Sequence, residues 1–206
     1  MIVIVDYGVG NLGSMANMLK RSGVEAVVSS DHATIRAAAK LILPGVGAFD
    51  VGMKNLVARG HVPVLEERVL RAGVPILGVC LGMQLFSRGS EEGGAPGLGW
   101  IAADAVRFRF DGSSADPRLR VPHMGWNTLD VREAHPLLAD LGDGARFYFV
   151  HSYHVACDDP STALATTRYG ADFASVVRRG NILGVQFHPE KSHKFGMKLL
   201  RNFAAM

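Results

Sequence analysis

The chain has 206 residues, enough for one domain with a sizeable core, and 48% of them are of the AVILMFWYC set against 20% charged, which excludes extended disorder. Lys and Arg exceed Asp and Glu by three, and the densest basic group (Arg107, Arg109, Arg118, Arg120) has Asp111 and Asp116 within it, so no nucleic-acid-binding stripe is present. Two cysteines, Cys80 and Cys157, exclude a multi-disulfide scaffold, and no apolar run reaches the ~18–20 residues of a membrane span.

Ile2 to Val5 reads as a buried strand, followed by a Gly-rich turn and a helix from about Asn11 to Arg21. Val24 to Val28 reads as a second strand and Thr34 to Ala39 as a short helix. Leu41 to Leu43 is a third strand, ended by Pro44-Gly45-Val46-Gly47. Helical segments follow near Val51–Arg59 and Val64–Arg71, then a strand from Pro75 to Val79 running into a helix from Leu81 to about Phe86. Short apolar strands alternating with helices predict a mostly parallel central sheet flanked by helices. The second half differs. Residues 88–100 hold five glycines and a proline and read as a loop, and β-rich segments follow at 101–109, 126–131, 146–150, 162–168 and 173–178. Ile182 to Phe187 reads as a strand and His193 to about Ala204 as the last helix. With no repeat and no convincing linker, one α/β domain over 1–206 is expected. No basic stretch or cleavage pattern is read at the start, so a soluble, cytoplasmic chain is expected.

Three segments carry candidate chemistry. Gly8-Val9-Gly10-Asn11-Leu12-Gly13 follows a strand and opens a helix, and Asp31 lies where a ribose-binding acid belongs, so the segment matches a dinucleotide fingerprint. The same glycines also suit a turn that packs the first helix closely. Gly78-Val79-Cys80-Leu81-Gly82 has the nucleophile-elbow pattern with cysteine in the serine position. A strained strand-to-helix turn needs small neighbours, the helix N-terminus favours a thiolate, and the Leu81 N–H can face an oxyanion. A buried structural cysteine is the alternative. In Gly184 to Glu190, a strand ends at His188, Pro189 stops it, and Glu190 stands two residues on. A thiol nucleophile needs a base, and the base needs an orienting acceptor; His188 and Glu190 suit those roles beside Cys80.

The elbow with Met83 and Gln84, together with His188-Pro189-Glu190, resembles the class I (triad) glutamine amidotransferases. Four further segments, Asp6–Leu12, Pro44–Phe49, His123–Asn127 and Phe147–Tyr153, narrow the resemblance to the glutaminase subunits of imidazole glycerol phosphate synthase, and it runs from residue 2 to the last helix. The resemblance implies a single-domain, flavodoxin-like class I amidotransferase fold. It implies hydrolysis of glutamine to glutamate and ammonia through a Cys80-His188-Glu190 triad and a glutamyl thioester. Oxyanion donors would be the Leu81 N–H and an N–H of the Pro44–Gly47 strand, that of Val46, with glycines at 45 and 47 allowing this peptide to flip. Gln84, Glu92 and the backbone around His151, Ser152 and Tyr153 would hold glutamine, with Glu91 adjacent as a competitor for Glu92.

The resemblance further implies a (β/α)8-barrel cyclase partner that receives the ammonia in histidine biosynthesis, with no cofactor, metal, nucleic acid or membrane involved. The glycine turn would then lie near the partner-facing side and bind no NAD. Asn11, Trp126 and Lys191 are the expected docking residues; a helix cap, a core aromatic and a solvated lysine are their plainer readings. His32, His61 and His135 are expected to face solvent, His123, His151 and His154 to lie near the site without a metal signature, and Cys157 to be incidental. The rival readings are the glutaminase of another triad amidotransferase, a stand-alone elbow-cysteine hydrolase, and a nucleotide-binding module built on Gly8–Gly13.

Overall fold

Every residue of the first strand, β1 (Ile2–Val5), is buried. In the computed structural model, which describes residues 1–110 and 119–206, it is followed by α1 (Leu12–Arg21), β2 (Ala26–Ser29), α2 (His32–Arg36), β3 (Lys40–Gly45), α3 (Phe49–Ala58) and α4 (His61–Glu66). A π-helical turn over Glu67–Arg71 extends α4, and β4 (Ile76–Cys80) leads directly into α5 (Leu81–Gln84). The second half contributes β5 (Ala103–Arg107), β6 (His123–Thr128), β7 (Asp130–Val131), β8 (Arg146–His151), β9 (Tyr153–Cys157), β10 (Ala163–Tyr169), β11 (Ala171–Arg179), β12 (Ile182–Val185) and α6 (His193–Ala205). Asp111, Asp116 and Arg118 of the basic group lie outside the described residues.

The large sheet runs β2-β1-β3-β4-β12-β11-β10-β7. Its first five strands are mutually parallel, and the remainder, with β9 and β5 joined through β11, is antiparallel. β6 and β8 form a separate antiparallel pair. The parallel strands are apolar at nearly every position because both faces are covered. Along β1, Val3 and Val5 join Leu41, Leu43 and Ile76 on the face packed by Leu56, Leu65 and Phe86. Ile2 and Ile4 join Ile42, Leu77 and Leu183 on the other face, under Met15 and Leu19 of α1 and Leu199 and Phe203 of α6. The period-two alternation therefore assigns each strand residue to one of two cores.

The helices end where their caps stand. Asn11 caps α1 by accepting the Ser14 N–H at 3.4 Å, so the plainer reading of Asn11 describes its local role. Asp31 caps α2, accepting both the N–H and the hydroxyl of Thr34 at 2.7 Å, which ties up the carboxylate expected of a ribose binder. Gly10, at φ +104°, lies against Pro44 of β3, where a Cβ would come within 3.2–3.3 Å of that residue. The glycine turn is thus packed onto β3. One expectation needs correction: His61 is buried, between the Asp6 carbonyl and the His32 ring, each at 3.1 Å, and does not face solvent. Among the described residues no helix is long and apolar enough to cross a membrane.

Candidate active site

β3, β4 and β12 end side by side, and the sheet register aligns what they carry. Gly45 pairs with Cys80, and Val185 pairs with Val79, which sets Gln186 next to the nucleophile elbow. A crevice at the carboxyl ends of parallel strands is where open α/β sheets bind ligands. Cys80 has φ +53° and ψ −110°, a conformation costing a non-glycine residue about 1–3 kcal/mol. The packing around it holds the turn: a Cβ on Gly82 would overlap the Leu43 carbonyl oxygen, so helix α5 presses directly on the β3 backbone.

His188 follows a bend at Gln186 and Phe187, beyond the end of β12. Its N–H donates to the Tyr148 carbonyl at 2.9 Å, and its own carbonyl accepts the Ser192 hydroxyl at 2.6 Å, so β8 and the start of α6 fix its position. The imidazole Nδ1 is 2.8 Å from Glu190 Oε1, with both side chains almost wholly buried. Burial disfavours the imidazolium, but hydrogen bonds to Cys80 and Glu190 and their charges outweigh it, pushing His188 up to about 10. Of the three residues expected to form the triad, His188 and Glu190 are hydrogen-bonded to each other, and Cys80 borders the same cleft as His188.

They sit at a cleft of about 540 Å³ lined by Val46, Gly47, Cys80, Leu81, Gln84, Glu92, His151, Ser152, Tyr153, His188 and Lys191. Every residue expected for the oxyanion and for glutamine thus borders one cavity, with Glu190 behind His188. Ala48, Pro122 and Val150 also line it, and no sequence motif marks them. Leu81, at the first helical position, has an N–H with no acceptor inside its helix. Gly47, at φ +104°, supplies the backbone freedom beside Val46. Gly45 has a different reason to be glycine: a Cβ there would stand 2.6 Å from Gly82 N and 2.8 Å from the Tyr7 hydroxyl. That hydroxyl donates to the Pro44 carbonyl at 2.6 Å, pinning the start of the loop from below. Glu91 and Glu92 diverge. Glu92 borders the cleft and accepts the Phe49 N–H of α3 at 2.8 Å, whereas Glu91 is engaged by the Arg107 N–H and Arg109.

A chain of buried polar groups backs the cleft. The Tyr153 carbonyl can only accept, so His151 Nδ1, at 2.7 Å, carries the proton and Nε2 accepts. His123 Nδ1 then donates to His151 Nε2 at 3.1 Å, and His123 Nε2 accepts from Asn127 at 3.3 Å. Burial lowers His123 to about 4 and His151 to about 3, so both are neutral in the folded chain. The unfolded chain protonates them near 6.5, so stability is lost as pH falls from about 6.5 towards 4 and 3. His61 and His154, also lowered by burial, act in the same direction. His188 has the opposite sign, losing its contribution as pH rises from 6.5 through about 10, outside that window. The melting temperature should therefore fall between pH 7 and pH 5, and fall less steeply in His151→Gln. A calorimetric series with no slope over that range would refute this account of the histidines.

Trp126 is 45% exposed and stacks on His193 with ring centroids 5.3 Å apart, so the core reading of Trp126 is excluded. Lys191 is exposed at the cleft, 5.7 Å above the Tyr148 ring. Cys157 lies half-buried at the end of β9, its thiol pushed up to about 11 by burial and then by Asp158 and Asp159. Among the described residues no three His, Cys, Asp or Glu side chains are grouped to hold a metal.

Residues 3–206 match the family model described as glutamine amidotransferase class-I. The chain is 52% identical over 206 residues, all of both chains, to a protein of Pseudomonas aeruginosa named imidazole glycerol phosphate synthase subunit HisH 2. It is 49% identical over 203 residues, 98% of each chain, to the protein of the same name from Methanococcus maripaludis. Among solved structures, one described as a glutamine amidotransferase matches with a TM-score of 0.69 at 24% identity, covering 100% of both chains, a likeness of fold.

Proposed function

Since the chain belongs to the class-I glutamine amidotransferase family, we propose that it hydrolyses glutamine to glutamate and ammonia as the glutaminase subunit of imidazole glycerol phosphate synthase. The observation that carries this reading is Cys80 and the hydrogen-bonded His188–Glu190 pair meeting at one cleft, in a chain matched end to end by relatives bearing that subunit's name.

In this reading the Cys80 sulfur attacks the side-chain amide carbon of glutamine, and the amide oxygen becomes an oxyanion facing the N–H groups of Leu81 and Val46. His188 holds the proton that leaves with the nitrogen as ammonia, and Glu190 keeps the imidazole oriented. A water molecule, deprotonated by His188, then attacks the glutamyl thioester, and glutamate departs as the thiol is restored. Glu92 supports recognition of the substrate's ammonium group: one of its carboxylate oxygens is held by the Phe49 N–H, and the charge faces the cleft. The His151–Tyr153 backbone forms the opposite wall.

Ammonia at neutral pH is mostly ammonium, which is not nucleophilic, so a glutaminase of this kind needs an acceptor close by. The partner in this reading is a (β/α)8-barrel cyclase. It combines ammonia with a phosphoribulosyl-formimino aminoimidazole carboxamide ribotide and releases imidazole glycerol phosphate and the aminoimidazole carboxamide ribotide. Asn11, Trp126 and Lys191, all exposed, are the proposed contacts. The test measures glutamate from glutamine with the chain alone, with a cyclase subunit, and with that subunit plus its ribotide ligand. A large rise in the full mixture is expected. Equal rates in all three would leave a glutaminase but remove this partner.

A further inference from the structure

Helix α5 contains only four residues, so its dipole is small and a thiolate at Cys80 depends on individual donors. His188 is one. The other lies one residue beyond the neighbouring strand β12. Gln186 is completely buried, and its Nε2 stands 3.6 Å from Cys80 Sγ, within reach of an N–H···S bond.

Which end of the Gln186 amide faces the sulfur follows from its neighbours. The Tyr153 carbonyl can only accept, so the group of Gln84 that meets it at 3.0 Å is the NH2. The same Gln84 nitrogen is 3.2 Å from Gln186, which must present its oxygen there. The remaining end of Gln186, its NH2, is then the end that meets Cys80. Reversing Gln186 alone would set two NH2 groups together and an amide oxygen against a thiolate; reversing both would set the Gln84 oxygen against the Tyr153 carbonyl. A backbone carbonyl thus dictates the orientation of two amides in series.

We infer that Gln186 donates an amide N–H to the Cys80 sulfur and stabilises its thiolate, and that Gln84 acts as a positioning residue that fixes this orientation. This rests on the reading of Cys80 as nucleophile. One consequence concerns Gln84 itself: with its nitrogen committed to Tyr153 and Gln186, Oε1 is the atom left to meet glutamine.

The test is the pH dependence of Cys80 alkylation by iodoacetamide on the full chain, followed by peptide mass mapping. It requires neither substrate nor partner, and Cys157, pushed up to about 11, contributes little thiolate below pH 9. Gln186→Met, which keeps the length but removes the donor, should raise the midpoint of alkylation by about one pH unit. Gln84→Met, which frees the Gln186 amide to rotate, should raise it by less. An unchanged midpoint in a Gln186→Met chain with native circular dichroism would overturn the proposal. If that variant does not fold, an unchanged midpoint in Gln84→Met does so instead. A wild-type Cys80 no more reactive at pH 7 than a free cysteine would defeat the nucleophile reading itself, a separate outcome.

Discussion

Glutamate release from glutamine, measured with the proposed cyclase and its ligand present, should fall by about 10⁴-fold or more when Cys80 is replaced by alanine. Among the described residues, neither the other cysteine nor the serine at the cleft is placed to take over. Cys157 is at the far end of β9, its thiol held neutral, and Ser152, though at the cleft, is not in the His188–Glu190 contact. His188→Ala should approach the same floor, because a thiol without its base supplies neither the thiolate nor the proton for ammonia. The double variant should be scarcely worse than either single one, since residues acting as one unit lose their function together. Glu190→Gln should cost less than Cys80→Ala, as the orienting member of such a triad usually does. The ranking is read from single-turnover glutamate release at saturating glutamine, with fold checked by circular dichroism. Residual activity above a tenth of wild type in Cys80→Ala would sink the triad. Additive losses in the double variant would mean that Cys80 and His188 act in separate steps.

The parts of the site that are legible in the sequence are those that local geometry fixes. Gly78 to Gly82 reads as an elbow because a reactive residue with φ +53° tolerates only small neighbours, and Leu43 presses on Gly82 as that reading requires. His188 and Glu190 are two residues apart across a proline stop, so their contact is local as well. The parallel strands are legible because burial on both faces makes them continuously apolar. The groups that depend on strand order are not legible. Gln186 is a lone polar residue between Val185 and Phe187, a visible anomaly, but its meaning depends on β12 lying beside β4. Glu91 and Glu92 are chemically alike, and only the path of the loop decides that one meets Arg107 and Arg109 while the other borders the cleft. β9 is hidden because Tyr153 follows His151 and Ser152 so closely that the segment reads as one motif. Yet Tyr153, Val155 and Cys157 alternate as a strand should, and a bend at Ser152 separates β8 from β9. His61 misleads for a similar reason: it opens a helix, where polar residues usually meet water, but it packs against a His32 and an Asp6 carbonyl brought from distant positions.

Gly82→Ala should destabilise the chain by about 3–5 kcal/mol, one of the largest effects of adding a single methyl group anywhere in it. The added carbon would overlap the Leu43 carbonyl oxygen, which is backbone in a strand paired on both sides and cannot swing away as a side chain would. Relief requires α5 to lift from β3. That movement would carry Leu81 and Cys80 with it, because the turn joining β4 to α5 has no spare residue. Gly23→Ala provides the contrast: Gly23 has open space around its Cβ and a positive φ of 73°, so its cost is that of backbone conformation alone, about 1–2 kcal/mol. Denaturant unfolding of the two variants separates close approach from conformational strain. Equal losses would mean that the contact with β3 costs no more than left-handed strain does at Gly23, since Gly82 itself has no positive φ. If Gly82→Ala is isolated folded, alkylation of Cys80 should slow as well, because the lifted helix moves the sulfur out of the His188 contact. Normal stability together with normal Cys80 reactivity would show that the elbow is not braced against β3.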